Sequence, residues 1–445
     1  MKKMINKFKT SIWLYPTIYS LFSLALSLII TIIDKLYARQ IADYIHDIFY
    51  TTTSLAQTVL GIVAGAFITI VTFTFSTTMI VLTMYSSQFT PRVIENFLNN
   101  KITMKSFGVF LSGFIFAIIS LLFINTNDDG NLVIAASVGV IYVIIGLIYF
   151  LVFIHNVSTH IQASDLILRL QEEALRTINE YCNFVKQSDI ISEEKMNEII
   201  DNKLFTDVLG QSDGYIQEIN YPKLKKIAQD HSCIVCFTKV VGQFISTETK
   251  ILTVYYEDPE INDEAVIHEI QQCILIGNKK TEAQDFSFTI QKIVEIALKA
   301  LSPGINDPNT ATHCLNIIGV LIRNLADIEK GYVVLKEASE QGFIIYEAFD
   351  FELLLYDAYN QIMFYGRSDA TVMIAGFKSL RFIKAKASKD NIKIIDEYAK
   401  YLIDQLAGFG YGELEYRKIN NEYIDMANYM NEGIIFKCGY RVNSV

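Results

Sequence analysis

Few residues in this chain stand at spacings that serve catalysis, and the best-placed group lies at a helix break. In the stretch LSPGINDP (301–308), Pro303 and Gly304 stop one helix, while Asp307 followed by Pro308 reads as the N-cap and first residue of the next. Ser302, Asn306 and Asp307 could gather at that helix N-terminus as a site for an anion or polar ligand. They could equally close a helix–turn–helix corner by bonding backbone groups. Cys233 and Cys236, with His231 nearby, have the spacing of a redox or metal pair. They fall in a β-branched run, however, and strand residues three apart point to opposite faces, which suits neither role. His268, His313, Asp263, Glu264 and Asp285 approach the break in sequence without the spacing of a metal site. His155 and His160 lie at the base of an apolar run, where histidine is amphipathic or senses pH. There is no second CxxC, no HExxH, no Walker loop and no GxGxxG. No catalytic, cofactor-binding or metal-binding residue is assigned, and the chain does not read as an enzyme.

The second group consists of hydroxyls. Thr69, Thr72, Ser76, Met79, Thr83 and Ser86 follow a 3-4-3-4-3 spacing and share one helical face. We read Thr69, Thr72, Ser76 and Thr83 as lining a water-filled path between subunits. The competing reading is that such hydroxyls bond their own i−4 carbonyls or hold neighbouring helices. Upstream, Gly61 and Gly65 form a small-xxx-small pair that permits close helix contact.

These groups need elements to hold them. Four stretches carry no charge: Ser11–Ile33, Leu55–Met84, Phe107–Ile124 and Leu132–Ile154. A helix needs roughly 20 apolar residues to cross ~30 Å of hydrocarbon, and each stretch meets that length. The fold class is therefore a multi-pass α-helical membrane protein with four spans, at about 11–33, 55–84, 107–124 and 132–154, followed by a cytoplasmic mixed α/β and then mostly α domain. The divisions are a transmembrane domain over 1–157, a helical stalk and linker over 158–210, and the α/β-plus-helical domain over 211–445. The first run follows the basic tail MKKMINKFK, but it is too long for a cleavable leader and reads as an uncleaved helix.

In the later part, GYIQEI, CIVCFTKV and ILTVYY read as strands, with a turn at Gly242, and Pro222–Asp230 as a helix. Helices are expected at Asp263–Ile276, Asp285–Leu301 and Asn309–Leu325, strands at Tyr332–Lys336 and Phe343–Tyr346, and helices at about 350–365, 369–386, 389–406 and 412–430.

Charge divides the same way. Residues 1–157 hold nine Lys/Arg and six Asp/Glu of the chain's 38 and 48, which leaves 29 against 42 in the remainder. So acidic a domain excludes nucleic acid as a partner, because phosphate binding depends on basic side chains. Basic residues in the tail (Lys2, Lys3, Lys7, Lys9) and the second connection (Arg92, Lys101, Lys105) number seven, against Lys35 and Arg39 on the other side. That asymmetry places both termini in the cytoplasm of a cell's inner (plasma) membrane. Six cysteines at irregular spacing fit a reducing compartment.

Three pieces together resemble one bacterial family of predicted membrane proteins, the domain of unknown function 2254. They are SQFTPR (87–92) with Phe97-Leu98; GYIQ (214–217) with Gly242-Gln243-Phe244; and Gln284-Asp285, Ala297-Leu298 and ALSPGINDP (300–308) closing with Thr310-Ala311. The resemblance implies a four-helix membrane part, a cytoplasmic domain and no assigned reaction. The chain departs from the family pattern at Val241, Asn309 and Met363.

The functional expectation is a homo-oligomeric channel or passive transport protein, its second span lining the path and its cytoplasmic domain regulating it. The alternative is a membrane-tethered ligand sensor or scaffold without transport activity. Expected partners are the lipid bilayer, further copies of the chain and an ion or small-molecule ligand; no cofactor is expected.

Overall fold

The computed structural model describes residues 14–36, 50–88, 101–124, 132–160, 163–257, 264–335, 342–406 and 409–429, with backbone alone at 36, 85–88, 132, 159, 160, 163 and 164. The chain forms two compact units, Met1–Leu166 and Ile167–Val445.

The first unit contains four helices, α1 (Leu14–Leu36), α2 (Thr53–Gln88), α3 (Lys101–Phe123) and α4 (Ala135–His160). All four are long and apolar enough to cross a membrane. α3 is the most enclosed and packs against the other three. Small residues make this close approach workable. A methyl on Gly108 would lie 2.7 Å from the Tyr19 ring, and one on Gly113 would collide with Phe67. Phe67 of α2 also fills the space over Gly146 of α4, so a single ring is seated between two glycine-surfaced helices. Two buried polar pairs tie helices of this unit together: Ser23 donates to the Ser112 carbonyl, and Asn156 Nδ2 donates to Thr103 Oγ1 at 3.1 Å.

The ends of the helices depart from the charge-free runs. α2 starts at Thr53 and extends to Gln88, about 54 Å in length. Leu132–Val133, expected as helix, is instead a short strand (β2) paired with Thr51–Thr52 (β1). The cause is Asp34, whose carboxylate accepts from the backbone N–H of Ile134 (2.9 Å) and Ala135 (3.3 Å) and so fixes the start of α4. Phe89 to Arg92, Phe97 and Leu98 lie outside the described residues, as do Asp263 and Asn127.

The second unit begins with α5 (Ala163–Lys186), most of which it contains. A polar stretch then gives β3 (Asp189–Ile191), α6 (Glu193–Ile200) and β4 (Leu204–Leu209). β5 (Gly214–Ile219), α7 (Tyr221–Asp230), β6 (Ile234–Phe237), β7 (Phe244–Ile245), β8 (Lys250–Tyr256), α8 (Glu264–Gln271) and β9 (Ile274–Gly277) follow. The remainder is α9 (Phe286–Ala300), α10 (Pro308–Arg323), β10 (Tyr332–Leu335), β11 (Phe343–Glu347), α11 (Phe351–Gly366), α12 (Ala370–Lys384), α13 (Lys389–Gln405) and α14 (Glu413–Asn428). The expected helix over 263–276 divides: it stops at Gln271, and Ile274–Gly277 joins a sheet as β9.

Two sheets result. The larger has the order β3-β10-β11-β6-β8-β4 and is antiparallel except for the β11–β6 pair. β6 lies inside it and is buried on both faces, which is why Cys233 and Cys236 sit in the core as free thiols. Burial pushes each thiol up to about 11, so neither is a ready nucleophile or metal ligand. The smaller sheet, β7-β5-β9, is antiparallel, with β5 in the middle. The helices pack on α12, where Lys384 is buried and its ammonium donates to Asp396 (2.6 Å) and to the Ala427 carbonyl at the end of α14 (2.8 Å). Met363 fills the hollow over Gly376 between α11 and α12.

Candidate functional site

β5 is the strand on which the sequence motifs converge. On one side Gly242 N–H donates to the Ile216 carbonyl (2.9 Å), and Ile216 N–H donates to the Gln243 carbonyl (3.0 Å). On the other, the Gln284 amide grips Ile219 twice, accepting its N–H (3.0 Å) and donating to its carbonyl (3.1 Å). Gln217 reaches the Lys279 carbonyl at 2.7 Å. GYIQ, GQF and QD, separated by up to 71 residues in the chain, thus form one hydrogen-bonded assembly.

Asp285 is the centre of this assembly. It caps α9, its Oδ1 accepting from Phe288 N–H at 2.9 Å. The residue is 6% exposed, and its Oδ2 is shielded from water without a hydrogen-bond partner. That oxygen lies against Gly242, where any Cβ would collide with it; Gly242 also holds φ +88°, which favours glycine. Burial raises the Asp285 carboxyl above the ordinary carboxylate range, against the opposing pull of Phe288 N–H and Lys280.

Asp285 lines a cavity of about 350 Å³ formed by residues of the second unit. Its walls are two aromatic trios. Tyr181, Phe286 and Phe349 stand 5.1–5.9 Å apart centre to centre, and Phe184, Tyr221 and Tyr346 stand 5.4–6.2 Å apart. Five of these six pairs are edge-on or tilted, and Phe184 and Tyr346 are stacked. Tyr181 accepts Phe349 N–H at 3.3 Å, and burial pushes its hydroxyl up to about 12. Tyr346 is 3% exposed, and its buried hydroxyl has no partner. Two residues that line the cavity thus each carry a buried polar atom without a protein partner, an arrangement that costs free energy.

A family described as a predicted membrane protein, DUF2254, matches residues 9–381. The chain belongs to this family. Uncharacterized proteins of Mycobacterium tuberculosis (strain H37Rv) and Mycobacterium bovis are each 24% identical to it over 342 residues, covering 73% of this chain and 62% of theirs. The chain thus spans less than two thirds of the length of these curated relatives. No solved structure matches it.

The residues singled out in sequence fall elsewhere. Ser302, Asn306 and Asp307 form a closed corner: Ser302 Oγ donates to the Lys299 carbonyl (2.6 Å), and Asn306 N–H donates to that of Ser302 (2.9 Å). Asn306 takes the left-handed conformation, φ +50°. Asp307 caps α10 and accepts both the N–H (3.1 Å) and the hydroxyl (2.6 Å) of Thr310. No member of the corner lines the cavity. On α2, Thr69, Thr72 and Thr83 donate to the carbonyls of Gly65, Ile68 and Met79 at 2.8–2.9 Å, and all four residues of the stripe, Ser76 included, are exposed on the protomer. His268 Nε2 stands 3.0 Å from Gln272 Nε2, and no His/Cys/Asp/Glu cluster suited to a metal occurs among the described residues. Sequence reading passed over Tyr181, Tyr221 and Tyr346; Gln284-Asp285, directly ahead of an amphipathic helix, and Val241 beside the Gly242 turn marked the neighbourhood.

Proposed function

We propose that this protein is a membrane-anchored ligand-binding protein, in which the four spans tether the second unit and the aromatic cavity takes a small molecule. The carrying observation is the cavity of about 350 Å³ with Asp285 Oδ2 and Tyr346 Oη buried beside it and unpartnered. Buried polar groups without partners cost free energy, and a ligand that satisfies them gains that amount in affinity. The expected cytoplasmic placement rests on the loop charges alone. Thermal-shift screening of the full chain in detergent, beside a Val240→Trp variant whose side chain fills the cavity, tests the proposal. Small molecules should raise the melting temperature of the parent and not of the variant. Equal shifts in both, or none in either, contradict it.

A second reading has its own support. Gly61 and Gly65 have nothing within 4 Å of where a Cβ would stand, and they continue the exposed hydroxyl face of α2. An unfilled small-xxx-small face in a membrane helix suits contact with a second copy, and a ring of such contacts is what the channel expectation requires.

A further inference from the structure

We propose that the cavity takes an organic cation, a substituted ammonium or similarly delocalised positive head on a small apolar body. The inference rests on the ligand-binding reading above and adds the chemical class. The charged residues lining the cavity are Glu180, Asp285 and Glu347, all acidic, and no lysine, arginine or histidine joins them. The nearest basic group acting on Asp285, Lys280, lies instead over the rings of Tyr215 (5.8 Å) and Phe288 (6.0 Å). A carboxylate that is 6% exposed and has one oxygen unpartnered is stable only when a positive charge or a proton completes it. The surrounding rings are of the kind whose faces attract cations, and tyrosine faces do so more strongly when desolvated. Anions meet three carboxylates of like sign. A neutral ligand gives the ionised form of Asp285 no compensating charge. Ile219, Pro222, Val240 and Val241 supply the apolar remainder of the wall.

Choline, its neutral carbon isostere 3,3-dimethylbutan-1-ol and the anion 3,3-dimethylbutanoate share shape and differ in charge. Calorimetric titration of the full chain in maltoside with each of them, at concentrations up to about 10 mM, reads the class directly. Choline should bind at least tenfold more tightly than the alcohol, with no measurable binding of the anion. Asp285→Asn, which keeps a capping oxygen for Phe288 N–H, should weaken choline at least tenfold. Glu180→Gln with Glu347→Gln, both at exposed positions, should weaken it less and in a salt-dependent way. Equal or tighter binding of the alcohol or the anion, abolished by Val240→Trp, overturns the cation class and leaves the ligand-binding reading standing. Absence of binding by all three probes overturns the cation class; the screen described above then decides the broader reading by itself. Repeating the titration in nanodiscs separates the sources of the cation. Weaker choline binding in phosphatidylcholine than in phosphatidylglycerol points to a lipid head group, and equal binding to a free solute; both uphold the class.

Discussion

Asp285 and Asp307 are both helix caps, yet their surroundings drive them in opposite directions. Thr310, through its hydroxyl and its N–H, holds the Asp307 carboxyl below the ordinary range. A depressed folded value means that this contribution is complete above the unfolded carboxylate pKa of about 3.9 and is lost as pH falls through the folded value. Asp307→Ala should therefore lower stability by about 1 kcal/mol at neutral pH, with the difference from the parent shrinking in acid; urea titrations at several pH values measure it. Asp285 is raised by burial, so the native state holds that proton more tightly than the unfolded chain does. Stability then falls as pH rises from the unfolded to the folded value, and stays reduced above it. Asp285→Asn removes this penalty while retaining the cap. It should raise the melting temperature at neutral pH even as ligand affinity drops, the opposite of what a structural carboxylate predicts. A lower melting temperature for Asp285→Asn would count against a functional role.

Among the elements, those with strong periodicity or strong breaks were legible: the four apolar helices, the helix–turn–helix corner and the helices after Phe351 follow from the sequence with shifts of a few residues. The sheet edges were not. β4 is exposed along most of its length and carries Asp207, so LFTDVL has no buried face to mark it as a strand until β8 pairs with it. β9 follows α8 with no glycine or proline between, which conceals the change from helix to strand. The cavity was the least legible feature, because Tyr181, Tyr221 and Tyr346 come from α5, α7 and β11 and meet only through the fold. The α2 stripe carries a prediction at this scale. With three of its hydroxyls donating to their own backbone, the face serves close helix packing better than it hydrates a path. Single cysteines at Thr69, Thr72 and Ser76 should therefore crosslink between copies in membranes, at higher yield than cysteines at Leu82. Rapid modification by small charged thiol reagents without crosslinking would instead favour the water-filled path.

Considered whole, the molecule combines a glycine-packed membrane unit with an acidic second unit that has its own sheets and cavity. The seven-to-two bias of basic residues predicts that a reporter active only in the cytoplasm works when fused after Val445, and that a cysteine at Asn127 is labelled from outside intact cells. Ligand binding should show itself in segments that share nothing but the cavity. Hydrogen–deuterium exchange on the full chain, with and without a ligand found by thermal shift, reads them together. Protection should appear over 177–184, 219–222, 284–287 and 346–349, and not over 302–307. Protection centred on 302–307 or confined to the four apolar helices, with the cavity segments unchanged, would contradict the assignment of the cavity as the binding site.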